Sequence, residues 1–283
     1  MFSTLVRAAD LMGHLADPAW LVVDCRFELS DPEAGARAWS AGHIPGAVYA
    51  HLDRDLAGPV TPKSGRHPLP SQAAFAATLS RWGVTPGTQV VAYDAAGGMI
   101  AAARLWWLLR WAGHERAAVL DGGLAGWTAA GGTQDRSVQQ RQALPFVPAW
   151  REALAVSTAE LSGLLAAGRC LLVDARGAER FEGRVEPIDP VAGHVPGAVN
   201  HPCQWNLDSD GSFLPPAALL VRWRATLGAR DPEAAVCMCG SGVTACHDLL
   251  ALDHAGLAGA RLYPGSWSAW ISDAARPVAR GPA

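Results

Sequence analysis

The chain is poor in charge and almost without lysine. Of its 283 residues only 17% are charged, Lys63 is the single lysine, and the formal net charge is -3 with no block of like charges. A nucleic-acid or anionic-membrane binder carries a basic surplus, so both partner classes are disfavoured. Long apolar runs are missing as well. The most apolar stretch, residues 99–112, is interrupted by Arg104 and Arg110 and is too short to span a bilayer. The opening MFSTLVRAADLMGHLADP has early acidic residues and no long apolar run, unlike an export signal. There is no CxxC pair. The six cysteines are Cys25, Cys170, Cys203, Cys237, Cys239 and Cys246, and none has a partner at metal-ligand spacing. We therefore expect no structural metal, no cofactor, and reduced thiols in a cytoplasmic protein. Arginine in place of lysine, with many Ala and Gly, suggests a GC-rich bacterial gene.

What is present is apolar material for two cores: half of the residues are hydrophobic. The chain also repeats itself. WLVVDCR at 20–26 recurs as CLLVDAR at 170–176, and GHIPGAV at 42–48 as GHVPGAV at 193–199. VVAYD at 90–94 aligns with AVCMC at 235–239, and DGGLAGW at 121–127 with PGSWSAW at 264–270. The order is the same in both halves and the period is far too long for a solenoid, so a domain has been duplicated. Short apolar runs such as LVVD, LLVD, 89–93 and 234–238 read as buried strands. Helical patterns lie between them at 72–82, 99–112, 158–167, 217–227 and 243–255. Ser157 is placed as an N-cap and Pro216 at a first helical position. The fold class is α/β, with two tandem domains, each a mainly parallel sheet flanked by helices. The expected limits are 1–135 and 155–283, joined by a linker at 136–154. Most of the twelve tryptophans, among them Trp82, Trp106, Trp107, Trp111 and Trp223, are expected in the cores.

In an open α/β sheet, ligands bind at the carboxyl ends of the strands. There the second half places Cys239-Gly-Ser-Gly-Val-Thr, followed by a helix. Two glycines and a serine let the backbone curl around the sulfur, so that loop amides and the helix N-terminus favour the thiolate. The other five cysteines stand in strand-like, helix-like or unmarked contexts and read as inert packing. The first half has Asp94 at the matching position. A carboxylate there suits helix capping but cannot attack sulfur, so the first half is expected to be silent. His43 and His194 sit in the paired GHxPGA turns of both halves and read as structural.

At these residues the chain resembles the two-domain rhodanese family, and within it the 3-mercaptopyruvate/thiosulfate sulfurtransferases. The resemblance rests on residues 42–47, 193–198, 121–127, 239–245 and 263–270 and covers nearly the whole chain. CGSGVTA is similar to the mercaptopyruvate branch, since the thiosulfate branch has two basic residues where Gly240 and Ser241 stand. The resemblance implies a ping-pong transfer. Cys239 takes sulfur from a small anionic donor, becomes a persulfide, and yields it to a thiol, cyanide or a thioredoxin-like acceptor. It implies that Gly240, Gly242, Val243 and Thr244 line the donor site with the loop amides. It also implies a relay of Ser241, His67 and Asp53, and Arg180 as the donor's carboxylate fork. By residue type alone His67 and Asp53 also read as solvated loop side chains, and Arg180 as a surface ion pair with Glu179 or Glu182. A second arginine of the animal enzymes falls at Asp189, a departure that Arg184 is expected to compensate. Ala269 replaces a usual acidic residue.

Three other readings compete. A thiosulfate-preferring rhodanese uses the same loop. A sulfur carrier that docks on a partner protein uses the same sulfur atom, and steady release of pyruvate to a small thiol separates it from an enzyme. A cysteine phosphatase needs an arginine six positions after the nucleophile, where Ala245 stands, and is disfavoured.

Overall fold

The computed structural model describes residues 1–282. The last residue of the expected second domain, at 283, lies outside the described residues. The chain divides into two compact units. One comprises Met1–Gly58, Leu69–Arg151 and Asp208–Phe213, the other Pro59–Pro68, Glu152–Leu207 and Leu214–Ala283. The residues expected as a linker thus group mostly with the first unit, and a short segment before residue 69 groups with the second.

The first unit contains β1 (Leu5–Val6), α1 (Ala8–Met12), β2 (Trp20–Asp24), α2 (Ala34–Ala41), β3 (Val48–Tyr49) and α3 (Leu52–Asp55). It continues with α4 (Gln72–Arg81), β4 (Gln89–Tyr93), α5 (Ala102–Trp111), β5 (Ala117–Leu120) and α6 (Gly123–Ala129). Its sheet has the order β1-β5-β4-β2-β3, and every named pair is parallel. The second unit contains α7 (Thr158–Ala166), β6 (Leu171–Asp174), α8 (Ala178–Phe181), β7 (Val199–Asn200) and α9 (Pro216–Leu227). It ends with β8 (Ala235–Met238), α10 (Ala245–His254), β9 (Arg261–Leu262) and α11 (Ser266–Trp270). Its sheet is parallel, in the order β7-β6-β8-β9.

The uninterrupted apolar runs have a plain cause. Leu21 and Val23 are buried on one face of β2 while Val22 enters a core with Ile44, Tyr93 and Trp127 on the other. A parallel sheet covered on both faces buries every residue of its central strands, each large aliphatic side chain contributing ~1.5–3 kcal/mol. The second core is built the same way from Leu172, Phe181, Val236, Met238, Tyr263 and Trp267. Helix starts follow local chemistry. Ser157 caps α7 in a reciprocal box with Glu160, and α9 opens at Pro216. Trp82, Trp106, Trp107, Trp111 and Trp223 are all buried. Among the described residues no helix is long and apolar enough to cross a membrane.

The repeated motifs are tied to each other. In the first unit the Arg26 side chain donates to Asp24 at the end of β2, and its Nη2 donates to the Gly42 carbonyl at 2.7 Å. In the second, Arg176 grips Asp174 and donates to the Gly193 carbonyl at 2.8 Å. One motif thus anchors the other, so both recur together. His43 lies 2.8 Å from the Trp39 carbonyl, and His194 lies 2.8 Å from the Phe181 carbonyl and stacks on the Phe181 ring. These histidines hold backbone outside their own turns.

Candidate active site

Cys239 follows the last residue of β8 and is 2% exposed. The loop turns back at once, and the Gly242 N–H donates to Cys239 Sγ at 3.2 Å. This turn requires glycine: Gly242 has φ +77, and a Cβ there would lie 2.3 Å from the Pro264 carbonyl oxygen. α10 begins at Ala245, directly after the loop. An amide is thus aimed at the sulfur, and a helix starts behind it.

A second segment, 263–268, clamps the loop. The Cys239 N–H donates to Ser266 Oγ at 3.0 Å, and Ser266 Oγ donates to the Tyr263 carbonyl at 2.9 Å. Trp267 N–H donates to the Cys239 carbonyl, and Ser268 N–H to the Gly240 carbonyl. Ser266 has φ 51, the one positive value among the described non-glycine residues. A serine held in left-handed backbone costs about 1–3 kcal/mol, and here its hydroxyl occupies the position that fixes the cysteine amide. Sequence reasoning treated 264–270 as a signature without chemistry. The available signal was a serine aligned with Gly123 of the other half, a position where glycine is the easier residue.

Of the expected relay, the structure brings two members together. Ser241 Oγ and His67 Nδ1 are 2.8 Å apart and both residues are buried, so His67 is not a solvated loop side chain. Asp53 is an exposed residue of α3 in the first unit, and its N–H donates to His51 Nδ1 at 3.1 Å. Val243 is buried and Thr244 is the N-cap of α10.

The cationic wall is built from ion pairs. Arg180 Nη2 donates to Glu186 Oε1 at 2.7 Å and to Asp189 Oδ2 at 3.1 Å. Its partners are thus Glu186 and Asp189 rather than the neighbours Glu179 and Glu182. Arg66 pairs with the other oxygen of Asp189. Burial lifts the Asp189 carboxyl and the Arg66 guanidinium opposes it, leaving it above the ordinary carboxylate value. Burial also lifts Glu186, but hydrogen bonds from Arg180 and from the Asp189 and Ile188 amides outweigh it, so its carboxyl lies below that range. Arg184 was expected to compensate for Asp189. Its side chain is 59% exposed and pairs with Glu182 and Glu179. α8 ends at Phe181, and beyond it the chain carries Arg184 to the surface.

Residues 7–130 and 157–273 each match the Rhodanese-like domain. The chain belongs to the rhodanese family. Over 279 residues it is 48% identical to a Pseudomonas aeruginosa protein named as a probable 3-mercaptopyruvate sulfurtransferase, covering 98% of each chain. It is 41% identical over 286 residues to SseB of Mycobacterium tuberculosis, whose name assigns it to the thiosulfate sulfurtransferases, covering 99% of this chain and 98% of that one. The crystal structure of SseA from Escherichia coli superposes with a TM-score of 0.82 at 29% identity, over 94% of this chain and all of that one. The rhodanese fold suits sulfur transfer through a cysteine, and Cys239 stands directly after β8.

Proposed function

We propose that the chain is a sulfurtransferase that carries sulfur as a persulfide on Cys239, with 3-mercaptopyruvate as the favoured donor. The Cys239 thiolate attacks the donor's thiol sulfur. The carbon–sulfur bond breaks, its electron pair passes to carbon, and protonation of the enolate releases pyruvate. Ser241, hydrogen-bonded to His67, is placed to move that proton, and Asp53 completes the relay in this reading. An acceptor thiolate, cyanide or a thioredoxin-like protein then attacks the outer sulfur, and Cys239 leaves with the bonding pair. The loop residues Gly240, Gly242, Val243 and Thr244 and the Arg180 guanidinium form the donor site. The first domain, with Asp94 in place of the nucleophile, is silent. A cytoplasmic location, where thiol acceptors stay reduced, belongs to the same reading.

The observation that carries this is the Gly242 amide directed at Cys239 Sγ, in a loop closed by its clamp. The Ser241–His67 pair favours mercaptopyruvate, because its carbanion needs a proton and departing sulfite does not. A thiosulfate-first reading is favoured by the name of the Mycobacterium tuberculosis relative and by two arginines beside the loop. Side-by-side turnover with both donors and a small thiol acceptor decides it. Mercaptopyruvate is expected to have the higher kcat/KM. Cys239→Ser is expected to lower transfer by ~10³-fold or more, with an unchanged circular-dichroism spectrum and no sulfur adduct by intact mass. Transfer surviving that substitution removes the assignment. Turnover only with a partner protein makes the chain a carrier.

A further inference from the structure

Arg66 lies outside every repeated motif, yet its guanidinium is at the mouth of the cysteine loop. A Cβ built on Gly240, the residue after Cys239, would lie 2.8 Å from Arg66 Nη2 and 3.7 Å from both terminal nitrogens of Arg180. The two guanidiniums therefore flank one point on the loop, at the residue after Cys239. They share a single carboxylate: Arg66 Nη1 pairs with Asp189 Oδ1 and Arg180 Nη2 with Asp189 Oδ2. Asp189 is in turn held by its own N–H, which donates to Glu186 Oε1 at 3.0 Å.

The backbone of Arg66 is fixed by the clamp that holds the cysteine. Its N–H donates to Ser268 Oγ at 3.1 Å, while the Ser268 N–H donates to the Gly240 carbonyl at 2.9 Å. The neighbouring Gly65 is so close that a Cβ would lie 2.7 Å from the Gly265 carbonyl oxygen. Asp189 occupies one edge of the Arg66 fork. The Nε–H, shielded from solvent, has no hydrogen-bond partner among the described residues. A buried guanidinium N–H left unmet is costly unless a ligand supplies the acceptor.

We infer that Arg66 is a donor-binding residue, holding with Arg180 the acidic group of the sulfur donor, and that Asp189 is the positioning residue that aims both guanidiniums at the cysteine loop. The inference rests on the sulfurtransferase reading above. The ligand class is a small molecule with a carboxylate or sulfur oxyanion adjacent to its transferable sulfur. A planar carboxylate matches two convergent forks. On this view a negative residue stands at 189 because the positive one comes from position 66, and the two charges are exchangeable.

The test uses the full chain, with Arg66→Gln, Arg66→Asp and the swap Arg66→Asp/Asp189→Arg, each checked for folding by thermal melting. Arg66→Gln is expected to raise KM for mercaptopyruvate by about 10-fold with kcat changed less than about 3-fold, the loss of one charge-assisted contact. Arg66→Asp is expected to lose about 100-fold or more in kcat/KM, and the swap to recover about 10-fold of that. A second readout needs no turnover. The rate of Cys239 alkylation by iodoacetate relative to neutral iodoacetamide, mapped by peptide mass, is expected to fall about 10-fold in Arg66→Gln. If folded Arg66→Gln keeps both its KM and that alkylation ratio, the inference is overturned, even while Cys239→Ser remains inactive and the sulfurtransferase reading stands. A folded swap variant no better than Arg66→Asp overturns the exchange of charges. Should Arg66→Gln not fold, the alkylation ratio of Arg66→Lys, which keeps the charge, is expected to match the parent, and a tenfold fall there overturns the inference.

Discussion

The two halves hold the same turn in opposite states. In the first, residues 94–101 leave the end of β4 and curl around the Asp94 carboxylate, which accepts from the amides of Ala96, Gly98, Ile100 and Ala102 at 2.8–3.2 Å. In the second, residues 239–244 curl around a thiol that accepts from the Gly242 amide. The clamp is the same in both: Leu124 N–H donates to the Asp94 carbonyl as Trp267 N–H donates to the Cys239 carbonyl, each at 3.0 Å. The preceding residue is left-handed in both, Gly123 at φ 55 and Ser266 at φ 51. The first half therefore carries its hydrogen-bond acceptor built in. The second holds a cysteine sulfur there, and adds a hydroxyl in left-handed backbone that accepts from the Cys239 amide. In the first half the loop amides are already occupied by the Asp94 carboxylate.

This contrast has measurable limits. The largest effect is expected from deleting the built-in acceptor. Asp94→Ala leaves buried amides unmet and is expected to destabilise the first unit by ~4 kcal/mol, whereas Cys239→Ala costs about 1 kcal/mol. Urea unfolding compares the two, and equal losses would mean the loops are not in opposite states. Next come the clamp residues. A Cβ at Gly123 would lie 2.6 Å from the Asp94 carbonyl oxygen, so Gly123→Ala is expected to cost ~2–3 kcal/mol. Ser266→Gly relieves strain and loses a hydrogen bond, so stability is expected to move by less than about 1 kcal/mol. Transfer is expected to fall about 10-fold as Cys239 loosens. An unchanged kcat/KM in Ser266→Gly would reduce the hydroxyl to ornament.

The smallest effect is in pH dependence. Burial lifts the Asp94 carboxyl above its ordinary value, although the four amides pull it down. A raised carboxyl keeps its proton in the folded chain where the unfolded chain has lost it. Its stabilisation is complete below the unfolded value and is lost as pH rises through the folded one. Relative to Asp94→Asn, the parent is expected to lose up to about 1.4 kcal/mol per pH unit across that window. Parallel stability curves for the two proteins would show that the amides cancel the burial.

Much of the fold was legible because its signals are local. Strands β2, β4, β6 and β8 announce themselves as apolar runs, and α4, α7 and α9 start within a residue of the expected positions. Ser157 and Pro216 carry their boundary chemistry in their own side chains. The two-residue strands β1, β3, β7 and β9 gave no period to read. Ser241 and His67 meet 174 positions apart, and family likeness, rather than any pattern in the chain, pointed to that pair. Arg184 was expected to take over from the arginine that Asp189 replaces; it lies past the end of α8, and its exposed side chain pairs with Glu182 and Glu179.

By itself the sequence determined the duplication, the strand–loop–helix turn that carries Cys239, and the presence of Asp94 at the matching position of the first half. These follow from hydrophobic periodicity and from what one residue type can or cannot do at a strand end. Only the tertiary structure decided which guanidinium stands beside the loop, that Asp189 is paired across 123 positions with Arg66, and that Ser266 accepts from the Cys239 amide. Charge pairing and hydrogen bonding act over a few ångströms in space, and no spacing along the chain encodes them.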